Sequence, residues 1–457
     1  MTTSTPTLQK PKQLELFALD VAPQAQTPAF ITENLSTREK LKLLLRSGLD
    51  FHGENSGYAS HDLHAFAAKF PPQLPLAFIR ALTTAGDIVF DPMMGSGTTI
   101  VETLLEGRQA IGTDIDPLAL TLCRVKTTPL DTKVLREIGN EIVAKAKETL
   151  ANVSILDQEL SGRFDKKTKE FIDYWFLPAT QRELMALLIQ IEKVSSVSIK
   201  QFLELTFSSI IITKSGGVSL ARDLAHTRPH RVTKTPKNAI EQFSTRLRKN
   251  IASISELSSN DLPSSLIEAN AGTLPLKDNL VDLIVTSPPY ANAIDYMRAH
   301  KFSLVWFGRK VNDLSELRAK YIGSERMKGK ELPVFGSQTE KIIKQLECVD
   351  KKKAQILRKY FGEMQAVFSE MYRVLKPNAA AIIVVGTSTM RNIDVQTHNC
   401  LANISSDVGF EVVGLAPRTL DRNKRMMPAR FGQKSDSIIE QRMHEEYVIA
   451  LLKPTKE

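Results

Sequence analysis

The chain has 457 residues, of which 42% are hydrophobic and 24% are charged, so it has the composition of an ordinary globular protein with material for a sizeable core. The length predicts two or three domains, or one core with a large insertion. The formal net charge of +9 reflects an excess of Lys and Arg that favours a polyanionic partner such as nucleic acid.

Three features of the chain bear on its location. Residues 1–30 are rich in Thr, Pro, Gln and Ala and lack the basic and apolar runs of a signal peptide, so we expect a disordered tail. No stretch approaches the roughly 18 uninterrupted apolar residues that a membrane span needs, so no membrane association is expected. Cys123, Cys348 and Cys400 are far apart, without a C-x-x-C pair, which predicts buried thiols in a cytoplasmic protein and no metal site.

Strand and helix patterns alternate after the tail. Helices are predicted over Thr37–Ser47 and Gln73–Thr83. A strand at Ile88–Phe90, a helix at Thr98–Leu105 and a second strand at Gln109–Ile115 follow. A strand, a tight turn, a helix and a strand in this order form a βαβ unit, which implies a parallel sheet with a right-handed crossover.

The sequence changes character between about 131 and 262, where it is polar and mostly helical in period. The apolar run Ser209–Ile212 fits a strand or a buried helix equally well. The sheet pattern returns at Val281–Val285 and continues at Ala379–Val385.

Two further β-rich runs, Phe410–Leu415 and Tyr447–Leu452, are predicted to be an antiparallel pair that closes the sheet. The sequence therefore predicts an α/β core in two parts, 31–130 and 263–457, separated by a helical insertion at 131–262.

A glycine-containing turn lies between the first strand and its helix and reads Asp91-Pro92-Met93-Met94-Gly95-Ser96-Gly97-Thr98. Glycine has no Cβ, so bare backbone can approach a small polar ligand closely. Asp114 ends the next strand, where an acidic side chain can accept hydrogen bonds from ribose hydroxyls. Ile100 replaces the third glycine of G-x-G-x-x-G, which weakens a dinucleotide-binding interpretation. The alternative is a tight turn that merely needs glycine.

A second turn, Ser287-Pro288-Pro289-Tyr290, directly follows the apolar run Val281–Val285. Two prolines stiffen the loop and leave its carbonyls free to accept hydrogen bonds. The Ser287 side chain and the Pro288 carbonyl could orient the hydrogens of an exocyclic amine, and Tyr290 offers a face for a base flipped out of a duplex. A proline-rich strand end with a core tyrosine is the alternative.

These motifs together resemble the DNA amino-methyltransferases, the family that makes N4-methylcytosine or N6-methyladenine. His64–Pro75 resembles the segment before the cofactor loop, Phe90–Thr98 resembles that loop, and Ser287–Tyr290 is similar to the catalytic tetrapeptide. The serine form of the tetrapeptide is associated with N4-cytosine enzymes. The similarity covers about 60–125 and 265–455, and its order resembles the arrangement in which a target-recognition region lies between the two loops.

The resemblance implies a Rossmann-like S-adenosylmethionine-dependent methyltransferase sheet with an inserted, mainly helical domain. It implies S-adenosylmethionine as cofactor, double-stranded DNA as substrate and a cognate restriction endonuclease as a candidate partner. The catalytic residues would be Ser287, Pro288, Pro289 and Tyr290. Asn270 stands where the family often carries an acid that contacts the cofactor adenine. The cofactor-binding residues would be Phe70, Asp91, Pro92, Gly95, Ser96, Gly97, Thr98, Asp114 and Asn270.

Basic residues are concentrated in the second half of the insertion, at Ser219–Val232 and just beyond. Such a stretch can neutralise phosphates along a nucleic-acid backbone. No Cys or third His lies near its two histidines, so DNA contact or a structural role is favoured over a metal site. A solvated helical face is the alternative. The predicted DNA-binding residues are Arg222, His226, Arg228, His230 and Arg231.

Other functions remain open from the sequence. The same chemistry could be directed at adenine N6 or at an RNA base. A DNA-binding protein with a vestigial cofactor pocket is an alternative from another class. A nicotinamide oxidoreductase would have to explain the Pro-Pro-Tyr loop and the missing glycine.

Overall fold

The computed structural model describes residues 34–66, 69–213, 217–221, 237–254, 264–291, 296–324, 333–420 and 445–455. Within these ranges the helices are α1 (Thr37–Arg46), α2 (Gln73–Leu82), α3 (Thr98–Leu105), α4 (Pro117–Thr127), α5 (Thr132–Leu150), α6 (Val153–Arg163), α7 (Lys166–Trp175), α8 (Pro178–Glu192), α9 (Val197–Ile211), α10 (Ala239–Ile254), α11 (Tyr296–Leu304), α12 (Val311–Arg318), α13 (Ser337–Val349), α14 (Lys351–Val374) and α15 (Thr397–Val408). The strands are β1 (Ile88–Asp91), β2 (Gln109–Asp114), β3 (Ser264–Glu268), β4 (Val281–Thr286), β5 (Leu375–Gly386), β6 (Thr389–Met390), β7 (Ile393–Asp394), β8 (Glu411–Thr419) and β9 (Glu445–Leu452).

Seven of these strands form one sheet in the order β3-β2-β1-β4-β5-β9-β8. The pairs from β3 to β5 are parallel, whereas β9 is antiparallel to both β5 and β8. The Rossmann-like α/β fold is therefore confirmed, together with the antiparallel pair that closes the sheet.

The central strands are apolar because helices cover both faces of the sheet. Along β4, Leu283 and Val285 belong to the core formed with α1 and α2, while Ile284 belongs to the core formed with α14 and α15. Successive side chains of a strand point to opposite faces, so β4 joins the two cores through its alternate residues.

One strand of the seven-stranded sheet, β3, was not predicted from the sequence. The prediction that the first strand after the insertion begins at Val281 is wrong. The strand β3 comes before it and pairs with β2 from Ala110↔Ser264 to Asp114↔Glu268. It is an edge strand of five residues, SSLIE, with two exposed residues and two adjacent apolar ones. Neither alternation nor an apolar run is present in so short a segment, so the pattern gave no strand signal.

The described residues between α4 and β3 include a block of six helices, α5 to α10. The ambiguous run Ser209–Ile212 lies at the end of α9 and is therefore helical. The core of this block also contains side chains from α4, α11 and α12, including Leu122, Phe302 and Leu314. The helical block thus packs against elements that lie on both sides of it in the chain. The domain boundaries at 130 and 262 stay a prediction.

The cysteines follow the prediction in part. Cys123 and Cys400 are buried, but Cys348 is exposed on α13, so the expectation of three buried thiols is wrong for Cys348. None of the three forms a disulfide. Among the described helices, none is both long and apolar enough to cross a membrane. The described residues contain no group of three or more His, Cys, Asp or Glu side chains that could hold a metal ion.

A close contact between α5 and α10 gives a test of the packing of the helical block. Gly139 of α5 is buried against α10, and a Cβ at this position would lie 2.4 Å from Leu247 Cδ2. Gly139→Val should force the helices apart and lower the free energy of unfolding by about 1–3 kcal/mol, as overpacking does. Urea unfolding followed by circular dichroism would measure the shift in midpoint. The control is Gly162→Val, because Gly162 is exposed on α6 and a Cβ there meets nothing within 4 Å. Equal midpoints for the two variants would contradict this account.

Candidate active site

A cleft of about 880 Å³, partly open to solvent, lies beyond the carboxyl ends of β1, β2 and β4. In the strand order, the chain runs outward from β1 to β3 on one side and continues with β4 on the other. In parallel α/β sheets, ligands bind in the crevice at such a switch point. The cleft is lined by Phe66, Lys69, Phe70, Asp91, Pro92, Met93, Met94, Gly95, Ser96, Thr98, Asp114, Ile115, Asp116, Ala269, Asn270, Ala271, Ser287, Pro289, Tyr296, Lys320, Tyr321 and Ile322.

The fold brings most of the predicted site residues into this one cleft. Ten of them line it, namely Phe70, Asp91, Pro92, Gly95, Ser96, Thr98, Asp114, Asn270, Ser287 and Pro289. The other three, Gly97, Pro288 and Tyr290, are not among the residues that line it. The predicted DNA-binding residues Arg222, His226, Arg228, His230 and Arg231 lie outside the described residues.

Asp91 ties the glycine turn to the end of β4. Its carboxylate is 2% exposed and accepts a hydrogen bond from Thr286 Oγ1 at 2.7 Å and another from the Met93 backbone N–H at 3.1 Å. Burial raises the pKa of Asp91 to about 6, although these hydrogen bonds favour its charged form. The two loops at the cleft are therefore joined by a buried polar contact.

The two glycines of the turn have different roles. Gly95 has a φ of +45° and lines the cleft, and a Cβ there would lie 3.1 Å from the ring of Phe66. Gly97 has a φ of +73° and faces α4, where a Cβ would lie 2.6 Å from Cys123 Sγ. Gly97 thus allows α3 and α4 to pack closely rather than exposing backbone to a ligand, which is a different reason for glycine from the one the sequence suggested.

Asp114 accepts hydrogen bonds from the glycine turn and from the start of α4. Its Oδ2 accepts the Gly95 N–H at 2.9 Å, and its Oδ1 accepts the Asp116 N–H at 2.9 Å. Burial, with a contribution from the negative charge of Asp116, raises the pKa of Asp114 to about 7. Each carboxylate oxygen keeps a further lone pair, which can accept a hydrogen bond from a hydroxyl group in the cleft.

A buried lysine lies beneath the same turn. Lys126 of α4 is 1% exposed, and its ammonium group donates to the Ser96 carbonyl at 2.7 Å. Burial lowers the pKa of Lys126 to about 7. Residues Asp91, Asp114 and Lys126 therefore hold the turn through both its N–H and its carbonyl groups.

The second loop follows β4 directly. Ser287 and Pro289 line the cleft, whereas Pro288 is buried. The Tyr290 hydroxyl donates to Glu446 Oε1 at 2.6 Å. Burial and the negative charge of Glu446 hold the pKa of Tyr290 well above its ordinary value, so the phenol stays protonated at neutral pH.

Several cleft residues were not predicted. Phe66 and Tyr296 stack with their ring centroids 5.7 Å apart, and Phe66 also contacts His300, which pairs with buried Asp116. Phe66 lies inside the quoted segment His64–Pro75, and Asp116 is the Asp-Pro start of α4, so both carried a local signal. Tyr296 carried none, because a lone tyrosine at the start of a helix has no distinguishing pattern.

A further wall of the cleft comes from the segment after α12, where Lys320, Tyr321 and Ile322 line it. This segment is held by the Gly323 N–H, which donates to Glu363 at 2.9 Å, and by Lys359, which donates to the Ser324 carbonyl at 3.0 Å. Contacts between parts of the chain this far apart cannot be read from a local pattern.

Asn270, placed by the sequence at the adenine contact, is at the cleft and exposed. Its Oδ1 accepts the Gly272 N–H at 2.8 Å. Its amide nitrogen offers donors to the cleft that an acidic residue would lack.

Comparison with known proteins points to one family. The family model described as "DNA methylase" matches residues 36–123 and 281–450. The chain is 25% identical over 380 residues to the Type II methyltransferase M.MvaI of Kocuria varians, covering 76% of this chain and 81% of that protein. It is 25% identical over 361 residues to the Type II methyltransferase M.AvaI of Nostoc sp., covering 71% of this chain and 73% of that protein.

Two other similarities are more limited. The chain is 50% identical over 96 residues to the orphan methyltransferase M.BamHII of Bacillus amyloliquefaciens, covering 21% of this chain and 28% of that protein. A solved SAM-dependent methyltransferase from Methanosarcina mazei is 11% identical, with a TM-score of 0.30, and the match covers 83% of this chain and 98% of that one.

The matched ranges of the family model contain both loops of the cleft and together make up more than half of the chain. The protein therefore belongs to the DNA methylase family and is a DNA methyltransferase that uses S-adenosylmethionine as its cofactor.

Proposed function

We propose that this enzyme transfers a methyl group from S-adenosylmethionine to N4 of cytosine in double-stranded DNA. The observation that carries the proposal is the position of Ser287, a neutral hydroxyl at the end of β4, in the same cleft as the glycine turn and Asp114. A cytosine amine placed there would meet its acceptors beside the methyl donor.

The lining of the cleft fits S-adenosylmethionine. Gly95 offers backbone without a Cβ, Asp114 offers carboxylate oxygens for ribose hydroxyls, and Met93 and Ile115 offer apolar contacts to a base. Asp91, Asp114 and Asp116 also surround the cleft with carboxyl groups that suit a sulfonium cation. Phe70, Pro92, Ser96, Thr98 and Asn270 would complete the cofactor site, with Gly97 supporting its loop. When bound, the cofactor supplies an electrophilic methyl group.

The residues of the chain would act by positioning. The Ser287 hydroxyl and the Pro288 carbonyl would accept hydrogen bonds from the two N–H groups of the amine, which lets the nitrogen lone pair turn away from ring conjugation. One of the two protons would be released to solvent when the nitrogen is methylated. Pro289 keeps the loop stiff, and the Tyr290 ring would stack on the base. Since the Tyr290 phenol stays protonated, it does not serve as a base. No cysteine nucleophile is required, in contrast to a route through the C5 carbon. Placement of the reacting atoms and fixed acceptors would supply most of the rate enhancement.

The basic segment within 222–236 is proposed to contact DNA phosphates, on the strength of its sequence alone. A partner endonuclease is likewise a proposal, since only the names of the relatives refer to Type II systems.

The first prediction concerns cofactor affinity and pH. The Asp114 carboxylate must be charged to accept from both ribose hydroxyls, and its pKa is raised to about 7. Raising the pH through 7 removes this proton, so the affinity should rise between pH 6 and pH 8, by up to about tenfold per unit below the pKa. Titration calorimetry with S-adenosylmethionine at several pH values would measure this change in affinity. Asp114→Asn should bind weakly and lose this dependence, while Asp407→Asn, an exposed aspartate on α15, should behave as wild type. An unchanged pH profile in Asp114→Asn would show that another group controls binding.

The second prediction is the target atom. After the enzyme acts on unmodified DNA, mass spectrometry of the digested nucleosides should show N4-methylcytosine. N6-methyladenine alone would overturn the choice of base and keep the mechanism, whereas 5-methylcytosine would overturn both.

The third prediction is the role of the serine. Ser287→Ala should lower turnover on the order of a hundredfold, by analogy with the loss of an oxyanion-hole donor, while cofactor affinity is unchanged. Ser369→Ala, at an exposed serine of α14, is the matched control and should keep wild-type turnover. Single-turnover rates with labelled cofactor would compare the two variants with the wild-type enzyme. A fully active Ser287→Ala variant would show that the serine has no role in the mechanism.

The fourth prediction concerns the basic segment. Replacing Arg228 and Arg231 with Ala should weaken DNA binding and reduce its salt slope by about one unit for each phosphate that is no longer neutralised. Cofactor affinity should stay the same. Lys351→Ala with Lys352→Ala, two exposed lysines of α14, is the control of equal charge change. DNA affinity measured by fluorescence anisotropy at several salt concentrations decides between phosphate binding and a solvated face, and identical slopes in both variants would favour the latter.

A further inference from the structure

We propose that Glu446 is a positioning residue for catalysis, because its carboxylate, itself held by Arg418, fixes the ring of Tyr290 in the orientation in which a target base stacks on it. The inference rests on the proposed function of the Ser287–Tyr290 loop and names a residue 156 positions beyond Tyr290 as part of its support.

The contact between Tyr290 and Glu446 is short and buried. The hydroxyl donates to Glu446 Oε1 at 2.6 Å, and Glu446 is 7% exposed. A hydrogen bond to a charged acceptor is shorter and stronger than one between neutral groups. The hydroxyl end of the ring is therefore attached to β9 rather than to its own loop.

Glu446 is in turn held by an arginine. Its Oε2 pairs with the Arg418 guanidinium, and the side chains are 9% and 3% exposed. Removing a carboxylate from water costs free energy unless it is paired, so the arginine offsets the cost of the buried acceptor. Arg418 also donates through Nε to the Leu49 carbonyl at 3.0 Å, which fixes it to the segment after α1.

The side of the ring has a second support. A Cβ at Gly386, the last residue of β5, would lie 2.5 Å from Tyr290 Cε2, so the ring is packed against bare backbone. The hydroxyl contact and the backbone contact together restrict rotation of the ring about both side-chain torsions. Tyr296 lines the cleft, and burial, followed by the negative charges of Asp114 and Glu446, raises the pKa of its phenol.

A fixed ring matters because the reaction depends on placement. A base stacked on Tyr290 shares the orientation of that ring, and its amine must reach Ser287 and the methyl donor together. A displacement of about 1 Å in such a site costs up to roughly a hundredfold in rate. Glu446 touches neither base nor cofactor in this arrangement and acts through Tyr290.

The test is a double-mutant cycle on turnover. Tyr290→Phe keeps the ring and removes the hydroxyl, while Glu446→Gln keeps the shape of the acceptor and removes its charge. Each should lower kcat by about tenfold or more, with KM for DNA and the cofactor Kd changed by less than about twofold. The double variant should be no slower than the slower single variant, because both changes break one interaction.

The neighbouring residue on β9 supplies a matched control. The Tyr447 hydroxyl also donates to a glutamate, Glu445, at 3.4 Å, and Glu445 is exposed. Tyr447→Phe should therefore keep the wild-type kcat. Urea midpoints for all variants would show whether a loss of activity follows a loss of stability.

Three results would overturn the proposal: wild-type kcat in Tyr290→Phe, additive effects in the double variant, or activity losses that track the urea midpoint or cofactor affinity. If Glu446→Gln does not fold, Tyr290→Phe alone decides, since it leaves the Arg418–Glu446 pair intact. In this cycle, kcat is measured for whichever methylated nucleoside the wild-type enzyme forms. A wrong choice of target base would be seen in the identity of that nucleoside, and a dispensable Ser287 would be seen in the activity of Ser287→Ala, so neither failure would be confused with a failure of this proposal.

Discussion

The hydrogen bond from Thr286 to Asp91 joins the ends of two neighbouring parallel strands, and the site depends on it. The backbones of β1 and β4 pair through Val89↔Leu283 and Phe90↔Ile284, and the backbone pairing between the two strands ends there. One branch becomes the glycine turn and the other becomes the Ser287–Tyr290 loop. A buried side-chain contact at 2.7 Å at the point of divergence keeps the two branches in a fixed relation. In the proposed mechanism, the methyl donor and the acceptor amine would therefore both be positioned by the same pair of strands.

This arrangement carries buried charge. Near the glycine turn, Asp91 and Lys126 are buried and Asp114 is half-buried, and burial shifts the pKa of each group in the direction that favours its neutral form. Glu102 on α3 is also buried, with 1% exposure, and burial raises its pKa to about 8. Its carboxylate forms hydrogen bonds with His61 and Tyr58. A polar layer of this kind stabilises a fold less than apolar packing would. It does hold the backbone N–H and carbonyl groups of a loop in fixed directions, as a preorganised binding site requires.

The sequence was sufficient for the central strands of the sheet and for the two loops that follow β1 and β4 at the cleft. Strong apolar runs marked β1, β4 and β9, and turn residues marked the loops that follow β1 and β4, because these features depend on neighbours in the chain. The edge strand β3 gave no signal, since a strand paired on one side needs little apolar surface. Gly97 was assigned for the wrong physical reason, because its partner Cys123 lies on another helix. Tyr296 and Lys320 were missed because only the folded chain brings them to the cleft.

The order of the strands has a consequence for how the enzyme is made. β9 is the last of the described strands in the chain, yet it lies between β5 and β8, and its first residues include Glu446 beside Tyr290. A chain emerging from the ribosome can assemble the glycine turn and the catalytic loop before this strand exists, but not the support of the tyrosine. Long-range pairing of this kind also closes slowly. The ring of Tyr290 would therefore gain its hydroxyl support only after synthesis has passed β9.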